Sequence, residues 1–312
     1  MNLPPEFIST IQNTYREDGY AFLKALPASI AAASARWGLT DVQPAPTLSY
    51  NFVAFAKREH EQVVLKMGVP GSEMESELAA LRLFNGQGAC RLIDYDQEKS
   101  WMLLERLKPG VMLSTLEDDE EATNIAADVM QKIWRPVDSA SSLAQEQAPG
   151  LHSFIQLSDW FDGLKKVRPY FKGGTGPFNA MLLERAERSV KDFFIENHQP
   201  VLMHGDFHHF NILSSERGWL IIDPKGVIGP AGYEVGPFLI NPWGDLLGGI
   251  DYRRMTKRRI DILHEGLGFE RGRIREWGLA HAILSAWWGI EDKTGWDYAL
   301  SFAEMIADLD IK

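Results

Sequence analysis

The stretch from Pro200 to Gly226, PVLMHGDFHHFNILSSERGWLIIDPKG, constrains this chain more than any other. It opens with a short apolar strand, Val201 to Met203, and passes through the polar loop His204-Gly205-Asp206. A second apolar run begins at Asn211, a turn follows at Ser214 to Gly218, and the strand Trp219 to Ile222 ends on Asp223. Short apolar runs separated by turn residues predict a hairpin within a small sheet. That sheet would bring Asp206, Asn211 and Asp223 to one edge, where three oxygen-bearing side chains could handle a metal or a proton.

Phosphoryl transfer requires such a set. The transferred group leaves the protein little covalent chemistry, so catalysis is positioning plus charge neutralisation. One carboxylate must orient the attacking hydroxyl, and further oxygens must hold Mg²⁺, which prefers octahedral oxygen coordination. His204-Gly205-Asp206 with Asn211 matches H-x-D-x-x-x-x-N, the catalytic-loop spacing of kinases, and Asp223 stands where a second metal ligand would. The bland alternative makes all three turn or cap residues. A sharper rival is a metal hydrolase, because His204, Asp206, His208 and His209 together resemble a zinc or iron ligand cluster.

The run HGDFHHFNIL with IIDPKG resembles the aminoglycoside phosphotransferase group, and more narrowly the aminoglycoside/hydroxyurea antibiotic-resistance kinases. The similarity extends from about Thr47 to the C-terminal helices and is strongest over residues 201–236. It implies an α+β, protein-kinase-like fold of two lobes, with a small mainly β N-terminal lobe and a larger mainly helical C-terminal lobe. It also implies ATP and Mg²⁺ as cofactors, Asp206 as the catalytic residue, and Asn211 and Asp223 as metal ligands. The acceptor would be a hydroxylated small molecule, an aminoglycoside such as streptomycin among the candidates. One departure stands out: where protein kinases carry a glycine-rich loop over the phosphates, Ser49-Tyr50-Asn51 has no glycine. Backbone N–H groups there, with Ser49 and Asn51, are the remaining phosphate-gripping candidates.

Upstream residues supply further parts. In the strand Gln62 to Met67, Val63, Leu65 and Met67 alternate with Val64 and Lys66. A lysine in so apolar a run snorkels or has an anionic partner. The helix opening at Gly71-Ser72 carries a capping-box pattern, Ser72 with Glu75, and turns Glu77 into its apolar stripe beside Leu81 and Phe84. A carboxylate there is costly unless paired, so Lys66–Glu77 is the expected ion pair, as in kinases that orient the nucleotide phosphates this way. A solvated glutamate on a rotated helix is the alternative. The strand Ser100 to Leu107 follows, and the resemblance assigns adenine contact to backbone groups of Glu105 to Leu107. Lobes of residues 1–107 and 108–312 are expected, the first with a helical extension over residues 1–38 broken at Leu26-Pro27.

Composition removes several function classes. A net charge of −11 leaves no electrostatic footprint for nucleic acid, and it would favour a cationic substrate. No apolar run approaches a membrane span, and the N-terminus lacks signal-peptide character. With Cys90 as the single cysteine no intrachain disulfide can form, so a cytoplasmic protein is expected. Cys90 itself suits a core position. Oligomeric state is not readable. Glu234, Asn241, Trp243, Asp245, Asp251, Glu291 and Asp292 are weaker acceptor-side candidates, and the basic run Arg253 to Arg259 reads as a solvated face. Besides an antibiotic-modifying kinase, the sequence leaves open a housekeeping small-molecule kinase and a silent nucleotide-binding protein.

Overall fold

The computed structural model describes residues 3–137, 154–195, 199–242 and 251–311. The first part of the chain runs α1 (Pro5–Trp37), β1 (Leu39–Pro44), β2 (Phe52–Arg58), β3 (Glu61–Met67), α2 (Ser72–Phe84), β4 (Leu92–Asp96) and β5 (Trp101–Glu105). Its five strands form one antiparallel sheet in the order β1-β2-β3-β5-β4. Val63, Leu65 and Met67 are fully buried on one face of β3, beneath α1 residues Leu26, Ile30 and Ala33. Val64 and Lys66 face the opposite way, toward the side that carries α2. This is the alternation expected of a strand.

Three local expectations are corrected. Helix α1 does not break at Leu26-Pro27; Pro27 lies inside it, and helical geometry is lost instead at Arg16 (φ 50°, ψ −120°). A proline forfeits one backbone N–H, but the buried neighbours Leu26 and Ile30 hold the helix through that gap. The bend at Arg16 brings Gly19 onto Ile11, whose carbonyl oxygen would lie 2.3 Å from any Cβ at position 19. Second, the strand expected over Thr47 to Ala56 begins only at Phe52: residues 45–51 form a loop closed by Ala45 N–H donating to Val53 O at 2.9 Å. Third, α2 has no capping box; Gly71 is its N-cap, with Glu75 N–H donating to Gly71 O at 3.1 Å.

Beyond Glu105 the chain enters β6 (Pro109–Met112) within a few residues, then α3 (Asp119–Ile133), β7 (Arg135–Pro136), β8 (Ile155–Gln156), α4 (Leu157–Asp162), α5 (Val167–Tyr170) and α6 (Ala180–Ile195). The central hairpin region follows as β9 (Val201–Met203), β10 (Ile212–Ser215), β11 (Gly218–Ile221) and β12 (Val227–Gly229). The chain closes with α7 (Val235–Ile240), α8 (Tyr252–Leu267), α9 (Arg271–Glu291) and α10 (Asp297–Ala307). Two small sheets, β11-β10-β6 and β7-β9-β12-β8, carry the loop from His204 to Asn211 between them, and the helices bury Trp277, Tyr233 and Phe238 at their centre. The described chain is thus a mainly β part followed by a mainly helical part, the α+β arrangement expected.

The basic run on α8 is not simply a solvated face. Arg259 is 1% exposed, with its Nε 3.0 Å from both carboxylate oxygens of Asp119 and its Nη1 donating to Asn241 O at 2.7 Å. A buried guanidinium is tolerable here because every face of it is engaged, including Phe238 beneath it. Among the described residues, no helix is long and apolar enough to cross a membrane.

Candidate active site

The site forms where β3, α2, the loop after β9 and the turn after β11 meet. Lys66 and Glu77 are each 3% exposed. Lys66 Nζ donates to Glu77 Oε1 at 2.5 Å and Oε2 at 2.6 Å, and makes a third, short contact with Asp223 Oδ1 across 157 residues of sequence. The pair predicted from strand and helix periodicity therefore exists, and it touches the predicted metal-ligand position. Burial raises the Glu77 carboxyl above the usual range and Lys66 opposes that rise; contact with both oxygens is the geometry of opposite charges. Burial also works against the charge on Lys66, but Asp223 and Glu77 outweigh it and raise its pKa. Asp223, despite burial, is held at about 2 by Lys66 and Lys225. It is an anion at working pH.

The loop after β9 is held by hydrogen bonds to its backbone. Gly205 has a left-handed φ of 87°, and a Cβ there would lie 2.3 Å from Val227 Cγ2, so glycine is required. The buried Glu234 carboxylate accepts from His204 N–H at 3.1 Å and Gly205 N–H at 2.8 Å. His204 Nδ1 accepts from Asp206 N–H at 3.1 Å, so its Nε2 carries the proton and donates to Ile222 O at 2.9 Å. Burial lowers the His204 pKa to about 4, so the ring is neutral and shapes the loop. Asn211 Nδ2 donates to Asp206 O at 3.0 Å, and its backbone carbonyl accepts from Ile222 N–H at 3.0 Å, one residue from Asp223. Asp206, Asn211 and Asp223 thus come to one edge.

The two remaining histidines separate. His209 is buried and stacks on Phe238 at 4.2 Å, a packing role. His208 does not pack away: its Nε2 lies 3.6 Å from Asp206 Oδ1 and 3.3 Å from Asn211 Nδ2. Burial would raise the Asp206 carboxyl, but His208, with Lys225 and His204, pulls it well below the usual range. Such a carboxylate stays ionised and orients a hydroxyl better than it removes a proton. With His204 committed to Ile222 O and His209 to Phe238, the histidines diverge, and no three His, Cys, Asp or Glu side chains among the described residues group as metal ligands would. The hydrolase arrangement is therefore not formed. What Asp223 and Asn211 offer together, one anionic carboxylate and an amide, is a donor set of hard oxygens suited to Mg²⁺ rather than zinc.

Other predicted residues contribute less. Ser49 is exposed on the loop between β1 and β2, while Asn51 is half-buried with its Oδ1 over Gly68 at the end of β3. Glu105 turns its side chain outward, accepting from Arg91 N–H at 2.9 Å and pairing with Arg217. Leu107 is buried at the linker against Leu104 and Leu220. A cavity of 560 Å³ opens on this outer side, beside Arg91, Arg106 and Lys108, and is not lined by Lys66 or Asp206. Beside the loop after β9, Trp160 stands 3.2 Å from a Cβ placed on Gly205 and meets Trp288 edge-on at 5.2 Å. Asn241 and Asp251 are structural, in the α7 C-cap and the α8 N-cap, and Glu291 pairs with Lys166 at 3.2 Å. Trp243 and Asp245 lie outside the described residues. Cys90 is buried, with its thiol pushed up to about 12 by burial, and is a core residue.

Two contributors escaped the sequence reading. Glu234 was one weak candidate among several, and only its two backbone partners reveal it as the anchor of the loop. For Lys225 the available signal was its place two residues after Asp223.

Comparison with known proteins agrees with this geometry. The profile of the aminoglycoside/hydroxyurea antibiotic resistance kinases matches residues 36–293. A streptomycin 6-kinase of Streptomyces glaucescens is 30% identical over 295 residues, covering 94% of this chain and 92% of that protein. A hydroxyurea phosphotransferase of Kitasatospora aureofaciens is 28% identical, covering 94% and 81%. Among solved structures, an aminoglycoside phosphotransferase in ternary complex with ADP and hygromycin B superposes with a TM-score of 0.61 at 16% identity, covering 89% of this chain and 96% of that one. That likeness shows the protein-kinase-like fold. With fold, profile and full-length identity in agreement, the chain belongs to the aminoglycoside/hydroxyurea antibiotic resistance kinase family and is a small-molecule kinase.

Proposed function

We propose that the protein transfers the γ-phosphoryl group of ATP to a hydroxyl of a small, cationic acceptor of the aminoglycoside type. The observation that carries this reading is the Lys66–Glu77–Asp223 ion-pair network beside the Asp206–Asn211 loop. Lys66, kept charged and oriented by Glu77, holds the nucleotide phosphates. Asn211 and Asp223 would hold Mg²⁺, which would supply positive charge to the nucleotide phosphates. Asp206 orients the acceptor hydroxyl and takes its proton late, if at all, since a loose transition state asks for little base. Ser49 and Asn51 border the phosphates, and the backbone from Glu105 to Leu107 receives adenine, with the lobes divided at Leu107. A cytoplasmic location fits a chain that consumes ATP and keeps its one thiol buried.

The acceptor class follows from charge and aromatic surface. Burial and Asp292 raise the Tyr50 hydroxyl, with Lys225 opposing and Glu73 and Asp206 adding to the rise, in a protein of net charge −11. Trp160 and Trp288 stand beside the catalytic loop, and aromatic faces with nearby carboxylates suit ammonium-bearing polyols. The related proteins named above act, by name, on streptomycin and hydroxyurea. The test is ATP consumption against a panel of aminoglycosides, hydroxyurea, amino alcohols and sugars. Turnover of an aminoglycoside is expected. Turnover confined to neutral sugars would replace this reading with a metabolic kinase.

A further inference from the structure

Lys225 occupies the cleft with its ammonium uncommitted. Its backbone is clamped from both sides: Lys225 N–H donates to His204 O at 2.7 Å, and Gly226 is wedged under α2, where a Cβ would lie 2.5 Å from Ser76 O. Ser76 Oγ also donates to Gly226 O at 2.7 Å. Asp223 enters this turn with a left-handed φ of 57°. The backbone of Lys225 is thus fixed between the His204–Asp206 loop and α2, and the residue is half-buried. Among the described residues it makes no ion pair, whereas Lys66 across the cleft contacts two carboxylates. The carboxylates that act on it are Asp223 first, then Asp206, Glu73 and Glu77.

A half-buried ammonium without a direct partner is expensive, and the free protein recovers that cost only through the field of nearby aspartates. The catalytic loop itself, Asp206 to Asn211, contains no lysine or arginine. Lys66 stands on the far wall and is committed to Glu77. A phosphoryl group travelling toward Asp206 therefore passes two carboxylates, Asp223 and Asp206, and Lys225 is a cation on which both act. Fixed positive charge aimed at the equatorial oxygens is what such a transition state requires.

We propose that Lys225 is a catalytic residue whose ammonium grips the γ-phosphoryl group during transfer to the acceptor hydroxyl. The bond from γ-phosphorus to the β–γ bridging oxygen breaks, and a bond from γ-phosphorus to the acceptor oxygen forms. The hydroxyl proton passes to Asp206 or to water, ADP leaves, and Lys225 neither gains nor loses a proton. This inference rests on the phosphotransferase reading, and it goes beyond it by naming a γ-phosphate contact that the H-x-D-x-x-x-x-N spacing does not include.

Full-length Lys225→Met and Lys225→Arg test it by calorimetric titration with Mg-ADP and Mg-AMP-PNP, which needs no acceptor. Lys225→Met is expected to bind ADP within about threefold of the parent while AMP-PNP weakens about tenfold or more, and kcat should fall about 10²- to 10³-fold. Lys225→Arg should regain most of the AMP-PNP affinity. Equal loss of both nucleotides would overturn the proposal in favour of a structural role, as would an unchanged AMP-PNP affinity. If Lys225→Met does not fold, as judged by its melting curve, Lys225→Gln carries the same comparison. A parent protein that binds neither nucleotide would defeat the phosphotransferase reading itself, a result distinct from any failure of Lys225 alone.

Discussion

The two walls of the cleft hold their functional groups by different means. On the first wall, Lys66 and Glu77 are kept in place by charge, with one ion pair buried between a strand and a helix. On the second wall the groups are kept in place by backbone geometry: Glu234 takes two N–H groups, His204 bridges Asp206 N–H to Ile222 O, and Gly205 adopts a conformation that other residues resist. Charge contacts can exchange partners without refolding anything. Lys66 touches Asp223 in the free protein, and a bound nucleotide would take over that contact. A loop fastened through its backbone cannot trade partners so easily. The comparison suggests that the first wall adapts to the nucleotide while the second stays put to receive the acceptor.

The largest effect should come from the second wall. Asp206→Ala should lower turnover about 10³-fold while nucleotide affinity stays within a few-fold, because the side chain is needed for the acceptor and not for ATP. Steady-state kinetics beside AMP-PNP titration check this, and unchanged turnover would remove Asp206 from the chemistry. Asp223→Ala lies on the seam between the walls. It should cost about 10²-fold in Mg²⁺-dependent nucleotide affinity, and tight Mg-ATP binding in that variant would contradict its role as ligand. For the first wall, Glu77→Gln should raise KM for ATP about tenfold with little change in melting temperature, since Lys66 keeps Asp223 as a partner. A collapse of the fold in Glu77→Gln would mean that the ion pair is structural, and the contrast between the walls would fail.

The smallest effect is a pH dependence at the loop anchor. Burial pushes Glu234 up to about 8 from 4.5. A folded-state pKa above the unfolded one means that the native protein keeps a proton the unfolded chain releases. The associated stability is complete below about pH 4.5 and is lost as pH rises through about 8. The unfolding free-energy advantage of the parent over Glu234→Gln, followed by denaturant melts at each pH, should therefore shrink between those values, by at most about 1.4 kcal/mol per pH unit. A difference that is flat across that window would show that the carboxyl is ionised throughout.

Much of the site was readable because its signals are local. Asp206, Asn211 and Asp223 flank one hairpin, where strand and turn periodicity places side chains over short distances. Lys66 and Glu77 were readable by a different logic, since a charge inside an apolar stripe must have a partner nearby. The bend of α1 at Arg16 was not readable, because the obvious breaker, Pro27, was overruled by burial against the sheet. Nor was Arg259, whose surroundings on α8 look solvated until α3 is packed against it.

The chain by itself determined which residue types occupy the cleft and on which face of each element they stand, since periodicity and spacing are properties of the linear order. Tertiary structure alone decided which buried charges meet: Lys66 with Asp223, Glu234 with the loop backbone, and Lys225 with no ion-pair partner among the described residues. The physical reason is that desolvation and Coulomb energies depend on through-space distances between segments far apart in sequence, and those distances exist only after packing.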